Sequence, residues 1–430
     1  MCRLPKRSLS RLSGRILLRN VAAQFQSPLK NPPTNHYFWS KSSQMNNICD
    51  FYTQEEWKKV LNFSEDLETP CQIILSDVIR KNFNALKESL PYARIFYAVK
   101  ANPATEVIRM LNELGSNFDV ASVYELRKLL GLGVSPDRIS YGNTIKKSED
   151  IKEFYQAGVR IYVSDSEADL RNIAKAAPGS KVFIRLLTEG VLTAGWPLSR
   201  KFGCQADMIY DLLILAQKLG LEPYGISFHV GSQQRDIPAW QAAIAKVKNL
   251  YDALKNDAGI TLKAINMGGG FPARYVEKNN PPEVYAAEIT RYLHEDFGET
   301  LPEIFIEPGR SLVGDSGILV TEVILIARKS RTALERWVYT DAGLFNGMME
   351  TMNESIKYPL YTPKKGVLEK VILAGPTCDS VDTMYENFQY ELPLNLSIGD
   401  RLYWLSTGAY TSSYCAVEFN GFPPMKTYVI

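Results

Sequence analysis

Lys100 ends an apolar run, FYAVKANP (Phe96–Pro103), and polar groups of complementary chemistry close five further strand-like segments. They are Asp119 in NFDVAS, Arg185 in FIRL, His229 in GISFHVGSQ, Gly268–Gly270 after AIN, and Glu307 with Arg310 in FIEPGR. Burial at a strand end disfavours a lysine's charged form, so its amine is freed more easily and can attack a carbonyl to give a Schiff base. Three successive glycines let backbone N–H groups approach a phosphate, and Arg310 adds a planar fork suited to the same anion. Glu307 beside a phosphate site would be repelled unless a cation lay between, and a protonated pyridine nitrogen is such a cation. Each residue also has a plainer reading: a solvated lysine, a tight glycine turn, a structural Glu–Arg pair, a satisfied core histidine. Together they leave a carbonyl-attacking aldolase lysine or a pyridoxal phosphate (PLP) lysine as the two chemistries.

These residues need a scaffold that gathers strand ends. Strand-like runs occur at Arg94–Val99, Phe118–Ala121, Ile139–Gly142, Arg160–Val163, Lys181–Leu186, Gly225–Val230, Ala264–Gly268 and Ile304–Ile306, with helical patterns such as Ala104–Gly115 between them. The strands are nearly continuous apolar text, as for strands buried on both faces. Eight β-then-α units predict an α/β fold, a (β/α)8 TIM barrel over 76–311, whose chemistry would sit at the strand C-termini. No G-x-G-x-x-G opens a helix after the first strand, which disfavours an open doubly wound sheet. From about Leu312 the rhythm changes to strands joined by turns, predicting a second, mostly β domain over 312–430. Residues 46–75, a helix and a short strand, read as a lead-in belonging to that domain.

The formal charge of +2 divides unevenly: residues 1–49 carry eight Lys/Arg and no acid, and the remainder is mildly acidic. That remainder has no block of positive charge for nucleic acid, and the chain has no run of about 18 apolar residues for a membrane span. Six scattered cysteines without a C-x-x-C pair fit a reducing compartment, and the three histidines lack zinc-ligand spacing, so no metal is expected. Residues 1–45 read as an extension: a tail, an upstream start before Met45, or an Arg-rich organelle transit peptide. A cytoplasmic location is expected, or an organelle if the last reading holds. Thr188–Gly203, with its glycines and proline, reads equally as a loop closing on the site or as an inert excursion.

In order, YAVKANP, FDVAS, FHVGSQ, NMGGGFP, EPGR, GPTCDSVD and GAY resemble the fold-type III PLP enzymes, and within them the ornithine/diaminopimelate/arginine decarboxylases. The resemblance runs from about residue 60 to the C-terminus. It implies that Lys100 is the covalent attachment point for PLP, that His229 stacks on the ring, and that Glu307 pairs with its nitrogen. Ser232, Gly268, Gly269, Gly270, Arg310 and Tyr410 would hold the phosphate, with Asp119 and Arg185 near the aldehyde end. It also implies a homodimer in which the segment after Gly375 serves the neighbour's Lys100, Cys378 delivering a proton and Asp379 meeting a distal ammonium. The Cys378–Asp379 pair suits a basic amino acid with a plain terminal amine, ornithine foremost, giving putrescine. Asp341–Met352 departs from the animal-type pattern near Glu350–Thr351; with Glu350 as the acidic substitute, lysine and arginine stay open. An inactive homologue acting as a binding regulator should be damaged at Lys100, the phosphate ligands or the Cys–Asp pair, and none is.

Overall fold

The computed structural model describes residues 48–188, 193–196 and 201–430, so the amino-terminal extension and part of the Thr188–Gly203 loop lie outside the described residues. The strands are β1 Cys71–Ile74, β2 Ala93–Ala98, β3 Asn117–Val120, β4 Ile139–Tyr141, β5 Ile161–Ser164, β6 Lys181–Arg185, β7 Ala194–Trp196, β8 Glu222–Ser227 and β9 Ser232–Gln234. They continue with β10 Ala264–Asn266, β11 Glu303–Ile306, β12 Gly317–Ala327, β13 Arg336–Thr340, β14 Leu360–Tyr361, β15 Leu368–Ala374, β16 Thr383–Pro393, β17 Arg401–Leu405 and β18 Lys426–Val429.

Strands β2, β3, β4, β5, β6, β8, β10 and β11 close a parallel barrel in that order, β11 returning to β2 with Phe305 opposite Arg94. These are the eight runs read as strands from the sequence. Their side chains alternate as strand geometry requires. One parity packs outward on the helices through the largest core cluster, including Tyr97, Phe118, Val182 and Ile304. The other fills the barrel with Phe96, Ile161, Val163, Phe183, Tyr224, Ala264 and Phe305, Phe96 stacking on Phe305 at 4.8 Å. Moving up the same inward parity, the apolar layer gives way to Asp119, Arg185, Asn266 and, past β11, Glu307. The inner plug thus stops where chemistry begins, as packing demands of a barrel that is filled rather than hollow.

The helices are shaped by the usual end signals. Ser122 accepts the N–H of Glu125 at 3.3 Å to start Val123–Gly131, and Gly158, at φ 105°, terminates Ser148–Ala157.

The second domain is an eight-stranded sheet running β14-β17-β12-β13-β15-β16, with β1 and β18 added beside β12. β12 carries the domain: its first half pairs with β1 and β17, and past an irregularity at Val323–Leu325 its second half pairs with β13. The lead-in strand β1 lies between β12 and the last strand, β18. Two apolar clusters fill the domain, one around Tyr385, Tyr390 and Trp404 and one around Trp57, Ile73 and Tyr403. Within the partly described loop, β7 pairs antiparallel with β9. Among the described residues no helix is long and apolar enough to cross a membrane.

Candidate active site

Lys100 sits in the single 3-10 turn Val99–Ala101 that follows β2. The turn is tied to the β domain on two sides: Tyr410 N–H donates to Ala101 O at 2.8 Å, and Ser413 Oγ donates to Lys100 O at 3.1 Å. Asn102, itself buried, donates to Gly408 O at 2.9 Å. The Gly408–Ser413 segment is therefore built onto the lysine turn, which brings Tyr410 to the barrel mouth.

The lysine side chain is accessible from that mouth, yet charged groups ring it. Desolvation is the largest influence and pulls its pKa down, but Tyr410, Asp119 and Glu307 outweigh it, against Arg185, and hold the ammonium above its ordinary value. The sequence reading expected the opposite, a lysine unprotonated through burial. That argument lacked the acidic neighbours, which stand on other strands.

Asp119 is buried and accepts from Ser140 Oγ at 2.9 Å. Burial, then Glu307, pushes its carboxyl well above the usual range. Gly142 makes room for it, because a Cβ there would lie 2.1 Å from Asp119 Oδ1. Burial lowers the Arg185 guanidinium, which lies over the Phe202 ring at 5.1 Å. His229 is half-buried, and its Nδ1 accepts the Gly231 N–H at 3.0 Å. Burial, then Arg185 and Lys100, holds its pKa well below 6.5. The imidazole is therefore neutral, with its proton on Nε2.

Asn266, at the end of β10, joins two parts of the site. Its Oδ1 accepts the Gly268 N–H at 2.9 Å, and its Nδ2 donates to Glu307 Oε1 at 2.5 Å. Glu307 N–H in turn donates to Gly268 O at 2.7 Å. The glycine turn and the carboxylate are thus one hydrogen-bonded unit. Gly268 and Gly270 have φ of 64° and 106°. Added methyls would meet Phe228 O at 2.2 Å, Glu307 O at 2.7 Å and Gly231 O at 2.7 Å for the three glycines in turn. Only glycine fits this cradle.

Arg310 opens the short helix Arg310–Val313 and is 3% exposed. Its Nε donates to Ser232 Oγ at 3.1 Å, and its guanidinium lies 4.8 Å from the Tyr410 ring centre. Ser232 and Tyr410 are therefore linked through contacts of this one arginine. Glu350, expected to meet a substrate, is paired with Arg310. It is 1% exposed, and both carboxylate oxygens are engaged by Arg310, at 2.5 and 2.7 Å.

Cys378 and Asp379 lie on the turn between β15 and β16, Cys378 exposed. Cys378 N–H donates to Asn420 Oδ1 at 3.0 Å, and Asp379 Oδ1 accepts Val381 N–H at 2.9 Å. The buried Asp382 fixes this turn, accepting from Leu344 N–H at 2.6 Å and from Thr377 N–H and Oγ1 at 3.0 and 2.7 Å. Sequence reasoning missed Asn266, Ser140, Asp382 and Tyr275, whose hydroxyl accepts from Arg310 Nη1 at 2.7 Å. Asn266 could have been found by continuing the inward parity of β10 one layer beyond Ala264; the others needed three-dimensional neighbours.

The residues present fit PLP. A methyl-free cradle and a buried guanidinium suit a phosphate, Glu307 has an acceptor for a ring N–H, and an accessible amine stands at Lys100. Comparison with known proteins agrees. The family model described as pyridoxal-dependent decarboxylase, pyridoxal binding domain, matches residues 76–314. The chain is 33% identical to the lysine/ornithine decarboxylase of Selenomonas ruminantium over 85% of its length and 90% of the relative's. It is 31% identical to antizyme inhibitor 2 of Xenopus laevis, over 86% and 82%. A lysine/ornithine decarboxylase of Vibrio vulnificus solved with cadaverine superposes with a TM-score of 0.79 at 29% identity, covering 88% of this chain and 99% of that one. The chain belongs to the pyridoxal-dependent decarboxylases, carboxy-lyases that work with pyridoxal phosphate.

Proposed function

We propose that the protein decarboxylates a basic amino acid, L-ornithine foremost, to putrescine and CO2. The observation that carries this reading is Cys378–Asp379 on an exposed turn, with a carboxylate one residue beyond a thiol. Asp379 supplies one negative charge for a distal ammonium and nothing for a second α-amino acid group. The lysine/ornithine specificity of the Selenomonas relative supports the same class of substrate.

PLP, when bound, supplies an electron sink for the pair released as the carboxylate leaves. Lys100 anchors it covalently. Glu307, steadied by Asn266, holds the ring nitrogen proton in place. His229 offers a neutral ring face, and Gly268–Gly270, Ser232, Arg310 and Tyr410 hold the phosphate. Asp119 and Arg185 both act on the charge of the lysine and orient the reacting end.

The active unit is a homodimer. Within one chain, Cys378 is tied to Asn420 and Asp379 to Val381, both in their own β domain. The neighbour's barrel mouth is where they act, Cys378 delivering the proton to the substrate carbon and Asp379 receiving the far amine. Lysine, one methylene longer, is the next substrate in this reading.

The test is amine release by purified, PLP-supplied protein from L-ornithine, L-lysine, L-arginine and meso-diaminopimelate in separate reactions. Putrescine at the highest kcat/KM supports the reading. Cadaverine or agmatine at a higher value reassigns the substrate, and no amine from any of the four overturns it in favour of a binding role like that named for the antizyme inhibitor.

A further inference from the structure

The Arg310 guanidinium has five N–H bonds. Glu350 takes two of them end-on, at 2.5 and 2.7 Å, and Tyr275 Oη takes a third at 2.7 Å. Nε donates to Ser232 Oγ at 3.1 Å. The remaining N–H, on Nη2, has no partner among the described residues. The end-on fork that arginine most often offers to an anion is thus already occupied by protein. What remains is the side edge, Nε and one Nη2 proton, beside the Ser232 hydroxyl.

The loop that carries Glu350 is held as though its position mattered. Met349–Glu354 contains two residues at positive φ, Asn353 at 54° and Glu354 at 53°. The Glu354 carboxylate collects three backbone N–H groups from β16, those of Glu386, Asn387 and Phe388, at 2.9, 2.6 and 2.9 Å. Glu350 N–H and O lie within the same anchored turn, Glu350 O accepting from Ile356 N–H at 3.0 Å. The β domain therefore reaches into the barrel with one carboxylate and fixes the orientation of one barrel arginine.

We propose that Glu350, with Tyr275, is a positioning residue that closes the end-on fork of Arg310 and presents its side edge, together with Ser232, to the cofactor's phosphate. This rests on the reading that Arg310 and the glycine turn hold that phosphate. In this arrangement Ser232 gives up its acceptor role to a phosphate oxygen and donates its own proton to another. Glu350 also balances the arginine charge before the phosphate arrives, so that an otherwise uncompensated cation is not left buried. The selectivity of the site for a phosphorylated over an unphosphorylated pyridoxal then depends on a residue that does not touch the phosphate.

The experiment is equilibrium binding of PLP and of pyridoxal, which lacks the phosphate, to cofactor-stripped wild type, Glu350→Ala, Glu350→Gln and Tyr275→Phe. Inorganic phosphate is titrated as a competitor, and folding is checked by thermal melts. Wild type should prefer PLP strongly. Glu350→Ala should weaken PLP by about tenfold or more while leaving pyridoxal within about twofold. Glu350→Gln, which keeps the shape but not the charge, should fall between, and Tyr275→Phe should shift less in the same direction. If Glu350→Ala does not fold, the other two variants decide the matter. An unchanged PLP-to-pyridoxal ratio in folded variants, or an equal loss for both ligands, overturns the positioning role. Absence of phosphate preference in the wild type instead overturns the assignment of the cradle to phosphate.

Discussion

At the residue scale, the site depends on groups that hold other groups. Asn266 is the clearest, since one side chain fixes both Gly268 and Glu307. Asn266→Ala should lower kcat/KM about 10- to 100-fold, the range for a misplaced partner of the reacting centre. Steady-state kinetics with saturating PLP checks this, and an unchanged value would show that Glu307 is held by other means. Most of the charged residues at the barrel mouth were legible because each ends a strand, and strand ends in a barrel converge. Asn266 lies inside the run Ala264–Gly268, read only as a strand, and its ties to Gly268 and Glu307 appear only in the fold. Glu350 was read as substrate-facing from its place in the chain; only the structure shows Arg310 engaging both its oxygens. The protonation of Lys100 was likewise beyond a one-dimensional argument, because Asp119, Glu307 and Tyr410 approach it from three other segments.

At the element scale, two turns set the geometry. Gly268→Ala would combine a left-handed φ of 64° with a methyl 2.2 Å from Phe228 O. The variant should lose more than about 1 kcal/mol of stability, with PLP binding weakened more than stability alone explains; melting and titration together test this. The turn Gly314–Ser316, between the barrel and β12, carries Asp315, which accepts Arg274 N–H at 2.7 Å. Burial, offset partly by that hydrogen bond, raises its pKa to about 6. Its folded value is above its unfolded one, so between the two the folded state binds more protons, and stability falls as pH rises from about 4 to about 6. Asp315→Asn should therefore stabilise the protein at pH 7–8, by on the order of 1–3 kcal/mol, and by little near pH 4. Urea melts at the two pH values give the answer, and an equal effect at both would contradict the burial argument. The barrel strands were easy to read because both faces are buried and the text is continuously apolar. β16 was not, since Thr383–Pro393 mixes Glu, Asn and Gln with buried tyrosines, and β7 and β9 are three residues each.

At the scale of the whole molecule, the barrel and the β domain are joined where the chemistry is. Ser413 reaches from the second domain to Lys100, and Tyr410 and Glu350 reach to Arg310. The change of rhythm near residue 312 made two domains visible in the sequence, and the resemblance implied that Tyr410 of the second would serve the first one's site, but the ties of Ser413 to the lysine turn and of Glu350 to Arg310 appear only in the fold. The proposed homodimer extends this logic, with Cys378 and Asp379 given to the neighbour. Mixing Lys100→Ala with Cys378→Ala protein should restore about a quarter of wild-type activity if subunits exchange at random, because half the dimers then hold one intact site. Activity no greater than that of the separate variants, after exchange is shown by mass, would place both residues in one chain's site. The central claim is a decarboxylation that passes through Lys100 at the barrel mouth. The most direct test is CO2 release from carboxyl-labelled L-ornithine by PLP-supplied wild type and by Lys100→Ala, with putrescine measured in the same reactions. The account predicts CO2 and putrescine in equal amounts from the wild type and a loss of both by at least about 1,000-fold in the variant. CO2 release that survives the loss of Lys100, or a folded, PLP-loaded wild type that releases none, would contradict it.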